Sequence, residues 1–159
     1  MKKLKLIKGD ATRPIGDGQK ILIHIVNSIG SWGSGYVISL SNRWKEPEAL
    51  YRQKTFENNI KLGTISIAKV EDNTWVVNMV AQEGIGLDEH GTPPIRYNAL
   101  QKCLNSVLDR IEIMDNPSIH VPFKMGADRA GGDWNKIVEM LEKTFCKNGI
   151  DVIAYNLHG

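Results

Sequence analysis

Apolar residues along this chain recur with two spacings, one of strands and one of helices. Ile21-Leu22-Ile23-His24-Ile25-Val26 is a nearly continuous, β-branched apolar run, the pattern of a strand buried on both faces. Leu4 to Ile7, ending at Gly9-Asp10, reads as a shorter first strand, and Arg13 to Lys20 as a loop. Behind the buried strand comes a glycine-rich loop, Asn27 to Gly35, then a helix from about Tyr36 to Arg43 and another after Pro47. Thr64 to Val70 and Trp75 to Ala81 are β-rich and joined by the short polar run Glu71 to Thr74, which predicts a hairpin and one antiparallel pairing. After a loop carrying Gly84, Gly86 and Gly91, the residues Leu100, Cys103, Leu104, Val107, Leu108 and Ile111 repeat at helical spacing. Ser118 to Pro122 is a further strand, followed by a second glycine-bearing loop, Met125 to Gly132. Trp134, Ile137, Val138, Leu141 and Phe145 stripe a last helix, Gly149 sits at a C-cap position, and Asp151 to Leu157 closes with a strand. Strands and helices thus alternate, which predicts an α/β layer fold: a mixed sheet with helices on both faces, in one domain spanning 1–159.

Composition narrows the function classes. A formal net charge of +2, with positives scattered, lacks the dense basic stripe of a duplex nucleic-acid binder. Two cysteines, Cys103 and Cys146, exclude a disulfide framework and a Cys-rich zinc site. His90, His120 and His158 share no spacing with carboxylates or cysteines, so neither a metal site nor a cofactor is expected. The apolar run behind Met1-Lys2-Lys3 is too short for a signal peptide, and no stretch approaches the ~20 apolar residues of a spanning helix. The expectation is a soluble, cytoplasmic protein without a membrane partner.

The two glycine loops, 27–35 and 125–132, each follow a buried strand and lead into a helix. Open α/β sheets bind ligands beyond the carboxyl ends of their strands. Glycines leave backbone N–H groups uncovered, and a helix N-terminus adds partial positive charge, so facing loops of this kind can cradle an anion. Neither loop ends in the Gly-Lys-Ser/Thr of a P-loop.

Five segments in order carry a family resemblance. They are Lys8-Gly9-Asp10-Ala11-Thr12, His24-x-x-Asn27 entering Gly30-Ser31-Trp32-Gly33, Pro93-Pro94-Ile95-Arg96-Tyr97, Val121-Pro122 leading to Gly126, and Ala130-Gly131-Gly132-Asp133-Trp134. Together they resemble a macrodomain, in the branch of the yeast-type ADP-ribose 1″-phosphate phosphatase and small bacterial and phage Appr-1-p processing proteins. The resemblance implies a three-layer α/β/α fold around a mixed, mostly parallel sheet of about six strands, with an ADP-ribose cleft at the strand ends. It implies a hydrolase acting on ADP-ribose 1″-phosphate or ADP-ribosyl esters, or a non-catalytic module that binds ADP-ribose, free or on a macromolecule. It places the adenine-binding acid at Asp10 with Ala11 beside it, and the distal-ribose loop at Asn27 and Gly30 to Gly35. The phosphate loop falls at Gly126, Ala127, Arg129, Ala130 and Gly131, and an adenine-side aromatic at Tyr155 next to Asn156. Close relatives read Gly-x-Gly-Leu-Ala-Gly-Gly where this chain has Gly126-Ala127-Asp128-Arg129-Ala130-Gly131-Gly132. A carboxylate at 128 repels bound phosphates unless Arg129 or Lys124 neutralises it. The catalytic lysine of a sister branch has no counterpart at Ala81 or Gln82.

Each candidate also has a plainer role. Asp10 serves either as a turn residue or as the adenine acceptor. His24 is a hydrogen-bonded core histidine, a general base or a ribose clamp; a regular strand would point it away from Asn27. Asn27 either ties the loop backbone or holds a ribose hydroxyl and a water. Trp32 is a packing plug or a pocket wall. Asp128 is simply solvated, activates water, or sets specificity. Catalysis is therefore assigned to Asn27, His24 and Asp128. Ligand contact is assigned to Asp10, Ala11, Asn27, Gly30, Ser31, Trp32, Gly33, Gly35, Gly126, Ala127, Arg129, Ala130, Gly131, Tyr155 and Asn156.

Overall fold

In the computed structural model, six strands and four helices alternate much as the hydrophobic pattern requires. The structure describes residues 2–158; the terminal residues of the 1–159 unit lie outside the described residues. The elements are β1 (Lys5–Lys8), β2 (Gln19–Asn27), α1 (Tyr36–Arg43), α2 (Glu46–Phe56), β3 (Ile65–Glu71), β4 (Thr74–Gln82), α3 (Tyr97–Ile111), β5 (Pro117–Pro122), α4 (Trp134–Thr144) and β6 (Asp151–Asn156). They form one sheet in the order β1-β6-β5-β2-β4-β3. Every pairing is parallel except β3 with β4, the hairpin whose polar connection is visible in the sequence.

Alternation along β2 and β4 explains why both strands read as almost wholly apolar. Ile21, Ile23, Val77 and Met79 face one side, where they pack with Leu100, Leu104 and Val107 of α3 and Ile137 and Leu141 of α4. Leu22, Val26, Val76 and Val80 face the other, under Leu40 of α1 and Tyr51 of α2, with Trp32 and Trp44. Two helical layers thus sandwich the sheet, and the central strands are buried on both faces. Among the described residues no helix is long and apolar enough to cross a membrane.

This topology positions a crevice. The helix after β2 lies on one face and the helix after β5 on the other, although the two strands are neighbours. Their outgoing loops therefore splay apart at the carboxyl ends, which is where open α/β sheets take their ligands.

A cleft at the ends of three strands

A cleft of about 560 Å³ opens at the carboxyl ends of β5, β2 and β4, marked by Pro122, Asn27 and Gln82. That volume suits a small organic ligand, for which sites commonly measure ~300–1,000 Å³. One wall is the loop after β2, with Ser31, Gly33, Ser34 and Gly35, continuing into Tyr36 and Val37 of α1. The other is the loop after β5, with Phe123, Lys124, Met125, Gly126, Asp128, Arg129 and Ala130. Ile85 and Gly86 form a lip on the β4 side.

Backbone groups supply part of the polar character of the cleft. Gly35, at φ 79°, is the N-cap of α1 and no side chain caps that helix. The Ile38 amide turns back onto the Gly35 carbonyl (3.1 Å), while the amides of Tyr36 and Val37 have no protein acceptor among the described residues and keep the partial positive charge that favours an anion. In the opposite loop, the amides of Met125, Ala127, Gly131 and Gly132 donate to Pro122, Lys124, Asp128 and Gly126 carbonyls. These bonds curl the segment, while the amides of Gly126, Asp128, Arg129 and Ala130 have no protein acceptor among the described residues. The helix behind that loop differs from α1: Asp133 caps α4 by accepting from the Asn135 amide (2.9 Å). Of the two helix ends anticipated to serve an anion, α4 already carries its own carboxylate, and α1 is open.

His24 and Asn27 both line the cleft, against the expectation for a regular strand. Asn27 is the last residue of β2, and the pairing shifts there: Val26 pairs with Val80 and Asn27 with Gln82, which leaves Ala81 as the extra residue on β4. Asn27 is committed to its own loop: Oδ1 accepts from the amides of Ile29 (3.1 Å) and Ser31 (3.0 Å), and Nδ2 donates to the Ser31 carbonyl (2.7 Å). The Tyr51 hydroxyl donates to the Asn27 carbonyl (2.6 Å) and lies 2.9 Å from Oδ1.

His24 is 2% exposed, with its ring edge-on to Trp32 and Tyr36. Its Nε2 lies 2.5 Å from Asn78 Oδ1, and Asn78 Nδ2 donates to the Pro47 carbonyl (3.1 Å). Since Oδ1 can only accept, Nε2 carries the proton and Nδ1 is left without a partner. Burial pushes the imidazole down to about 4, against the opposing pull of Asn78, so the ring is neutral in ordinary buffers. Asp128 is exposed, and it forms no hydrogen bond or ion pair with Lys124 or Arg129. The neutralisation anticipated at that carboxylate is therefore absent from this structure.

Other anticipated ligand contacts fall outside the lining. Trp32 is a packing plug, 5% exposed, with Nε1 donating to Ser41 Oγ (2.9 Å) and its ring against Tyr51. A Cβ at Gly30 would strike Thr55, and one at Gly131 would strike Pro93, so these glycines serve close packing. Ala127 supports the core behind its loop. Asp10, Ala11, Tyr155 and Asn156 form a separate group at the ends of β1 and β6. Asp10 Oδ1 accepts from the Thr12 amide and hydroxyl (both 2.8 Å), which is a turn function. The group adjoins the cleft through Tyr36, whose hydroxyl donates to the Ala11 carbonyl (3.1 Å), and through the Phe123 amide, which donates to the Tyr155 carbonyl (2.9 Å).

Tyr155 itself is 3% exposed and offers little ring surface to a ligand. Its hydroxyl accepts from the Ile15 amide (2.9 Å) and is hydrogen-bonded to His120 Nδ1 (2.6 Å), while His120 Nε2 is hydrogen-bonded to Ser118 Oγ (2.8 Å). The half-buried aromatic lining the cleft on this side is Phe123, edge-on to Trp134. Phe123 and Tyr36 are the main lining residues that sequence reasoning missed. Tyr36 reads as a helix-start core residue, Phe123 falls between the strand ending at Pro122 and the loop starting at Met125, and neither carries a motif. Among the described residues no three His, Cys, Asp or Glu side chains converge as a metal-binding group.

No protein-family model matches the chain, and no curated protein matches it. Solved structures do. A Bacteroides thetaiotaomicron protein of unknown function is 40% identical, superposes with a TM-score of 0.93, and the match covers 96% of this chain and 97% of that one. A macrodomain protein from Streptomyces coelicolor is 32% identical with a TM-score of 0.83, over 97% and 99% of the two chains. Thermosipho africanus DarTG, solved in complex with ADP-ribose, is 18% identical with a TM-score of 0.75; the match covers all of this chain and 43% of that one.

Proposed function

This chain belongs to the macrodomain family, and from that premise we propose that its cleft binds ADP-ribose or a close derivative and hydrolyses it. The observation that carries the reading is the pair of facing backbone arrays: the uncapped start of α1 and the unpartnered amides of Gly126, Asp128, Arg129 and Ala130. Such arrays hold a diphosphate without requiring lysines. A neighbour of the same fold is solved with ADP-ribose, which supports the same ligand here. The adenosine lies toward Asp10, Ala11, Asn156 and the Tyr155 side, with Phe123 as its aromatic neighbour. The distal ribose lies toward Ser31 to Gly35.

Chemically, the amides that hold the ground-state phosphates also stabilise negative charge as it develops. No nucleophile with an adjacent base lines the cleft, so water is the attacking group. With ADP-ribose 1″-phosphate, water adds at phosphorus and releases ADP-ribose and inorganic phosphate. With an ADP-ribosyl ester, water breaks the ester and releases ADP-ribose and the free acid. Asp128 orients the water; it is the carboxylate of the cleft wall. Asn27 acts by holding the loop, and His24, neutral and buried, acts as a polar floor.

A second reading, a non-catalytic module for ADP-ribose alone or on a macromolecule, is favoured by His24: a histidine held near 4 is a weak base. Calorimetric titration with ADP-ribose, and AMP as control, tests the shared premise. Micromolar affinity for ADP-ribose with much weaker AMP binding is expected, and no heat with either ligand overturns both readings. Turnover then separates them. Asp128→Asn alters no structural contact, so loss of product formation with retained binding supports the hydrolase, and equal rates remove Asp128 from it.

A further inference from the structure

Lys124 is the unusual residue of the cleft wall. Four non-glycine residues among those described have left-handed φ: Asn58, Asn73, Asn116 and Lys124, the last at 61°. Asparagine tolerates that region because its short side chain bonds locally; lysine has no such compensation. The surrounding backbone imposes the conformation. The Met125 amide donates to the Pro122 carbonyl (3.0 Å), the Phe123 amide to Tyr155 (2.9 Å), and the Lys124 carbonyl accepts from Ala127 (2.8 Å). Strain of this kind persists where the neighbouring structure overdetermines it, and it clusters at ligand sites.

The side chain is exposed, lines the cleft, and has its ammonium 5.5 Å from the Phe123 ring centroid. It makes no ion pair with any acid among the described residues, Asp128 included. Lys124, like the exposed and unpaired Arg129, thus brings a cation into the same wall as an unpaired carboxylate, but Lys124 alone does so from a left-handed backbone, beside the amides assigned to the diphosphate.

We infer that Lys124 is a specificity-determining residue: its ammonium meets the ligand's diphosphate, offsets the repulsion from Asp128, and makes the cleft select diphosphate-bearing ligands. The inference rests on the ADP-ribose reading of this cleft. Both Lys124→Gly and Lys124→Asn remove the charge while accepting the left-handed backbone. Calorimetric titration of wild type and both variants with ADP-ribose and with inorganic pyrophosphate, at low and high salt, tests it alongside thermal melts. Both variants are expected to melt at or above the wild-type temperature, to bind each probe about tenfold more weakly, and to lose much of the salt dependence. Wild-type affinity and salt dependence in both variants overturn the inference while leaving ADP-ribose binding intact. Lys124-dependent pyrophosphate binding by a wild type that ignores ADP-ribose upholds the inference and removes the ADP-ribose reading. Failure of the wild type to bind either anion overturns both. A lower melting temperature in both variants overturns it too, since the lysine would then serve the loop.

Discussion

Replacing Gly132 by alanine tests whether the curled loop after β5 is the binding element. A Cβ built on Gly132 lies 2.5 Å from the Gly126 carbonyl oxygen and 3.3 Å from both the Gly126 carbonyl carbon and Ile137 Cδ1. The first two contacts are backbone, so no rotamer change relieves them. The same carbonyl accepts the Gly132 amide (2.8 Å), the bond that closes the loop. The methyl therefore separates the two groups whose bond holds the curl. Overpacking of this kind costs about 1–3 kcal/mol and the lost hydrogen bond about 1 more. For a domain of this size a drop of roughly 5–15 °C in melting temperature follows. Gly126 and its neighbours then lose their alignment. Losing one charge-assisted bond to a phosphate, worth about 1.5–3 kcal/mol, weakens ADP-ribose binding by roughly ten- to a hundredfold. Scanning calorimetry and isothermal titration read the two effects. Gly33→Ala is the control, because a Cβ there meets nothing within 4 Å, and its melting temperature should match wild type. Should Gly132→Ala melt within about 1 °C of wild type and bind within about twofold, the loop geometry does not govern binding and the argument fails.

Acidification should destabilise the fold ahead of any effect on chemistry. Burial holds both His24 and His120 down to about 4, below the ordinary 6.5, so the unfolded chain binds more protons between those values. Stability is therefore fully present above about pH 6.5 and is lost as pH falls toward 4, by up to about 3 kcal/mol for each histidine. Melts from pH 7 to 4.5 should show a steep fall, and a flat profile refutes the burial argument. Asn27→Ala removes the acceptor of two loop amides and should lower stability by about 2–4 kcal/mol with collapse of the 28–31 turn; a melt and amide exchange at Ser31 check it. Tyr155→Phe strips the acceptor from the Ile15 amide and leaves His120 Nδ1 unpaired, at a cost of about 1–3 kcal/mol. Faster amide exchange at Ile15 is expected, and unchanged protection there counts against this network.

The sheet was legible because its two central strands are long, β-branched and nearly uninterrupted, a pattern that only burial on both faces explains. The hairpin was legible from its short polar connection, and α1 began where the glycines stopped. What could not be read is geometry finer than an element. The register shift opposite Asn27 depends on how β2 and β4 pair, and nothing in the sequence around Asn27 signals it. Asn27 closes the strand, and its side-chain amide is held to Ile29, Ser31 and Tyr51 rather than by strand alternation. Trp32 was undecidable for a related reason: its surroundings are supplied by Tyr51 and Ser41, residues that only the α2 packing brings to it. Tyr155 is buried and Phe123 lines the cleft because burial at a strand end depends on the neighbouring loop. The Tyr155 hydroxyl is drawn inward by His120 and Ile15, whereas Phe123 sits one residue past its strand and faces the cleft.

These outcomes share a physical cause that bears on the chemistry of the cleft. Its proposed anion cradle is made of amides, which every residue but proline supplies, so side-chain identity there is weakly constrained. What the loop does constrain is space and φ: Gly126 at φ 75° has Ile25, Ile137 and Ile95 side chains around its missing Cβ, and Gly132 faces a carbonyl. Those positions admit only glycine without rearrangement, while Asp128 and Arg129 between them are exposed and free to vary. A carboxylate at 128 therefore alters the charge of the cleft without altering its shape. The proposed binding mode depends on the shape, and the proposed choice between capture and hydrolysis depends on the charge. Variants at Gly132 and at Asp128 should accordingly separate, the first binding ligand roughly ten- to a hundredfold more weakly and the second losing turnover with ligand still bound.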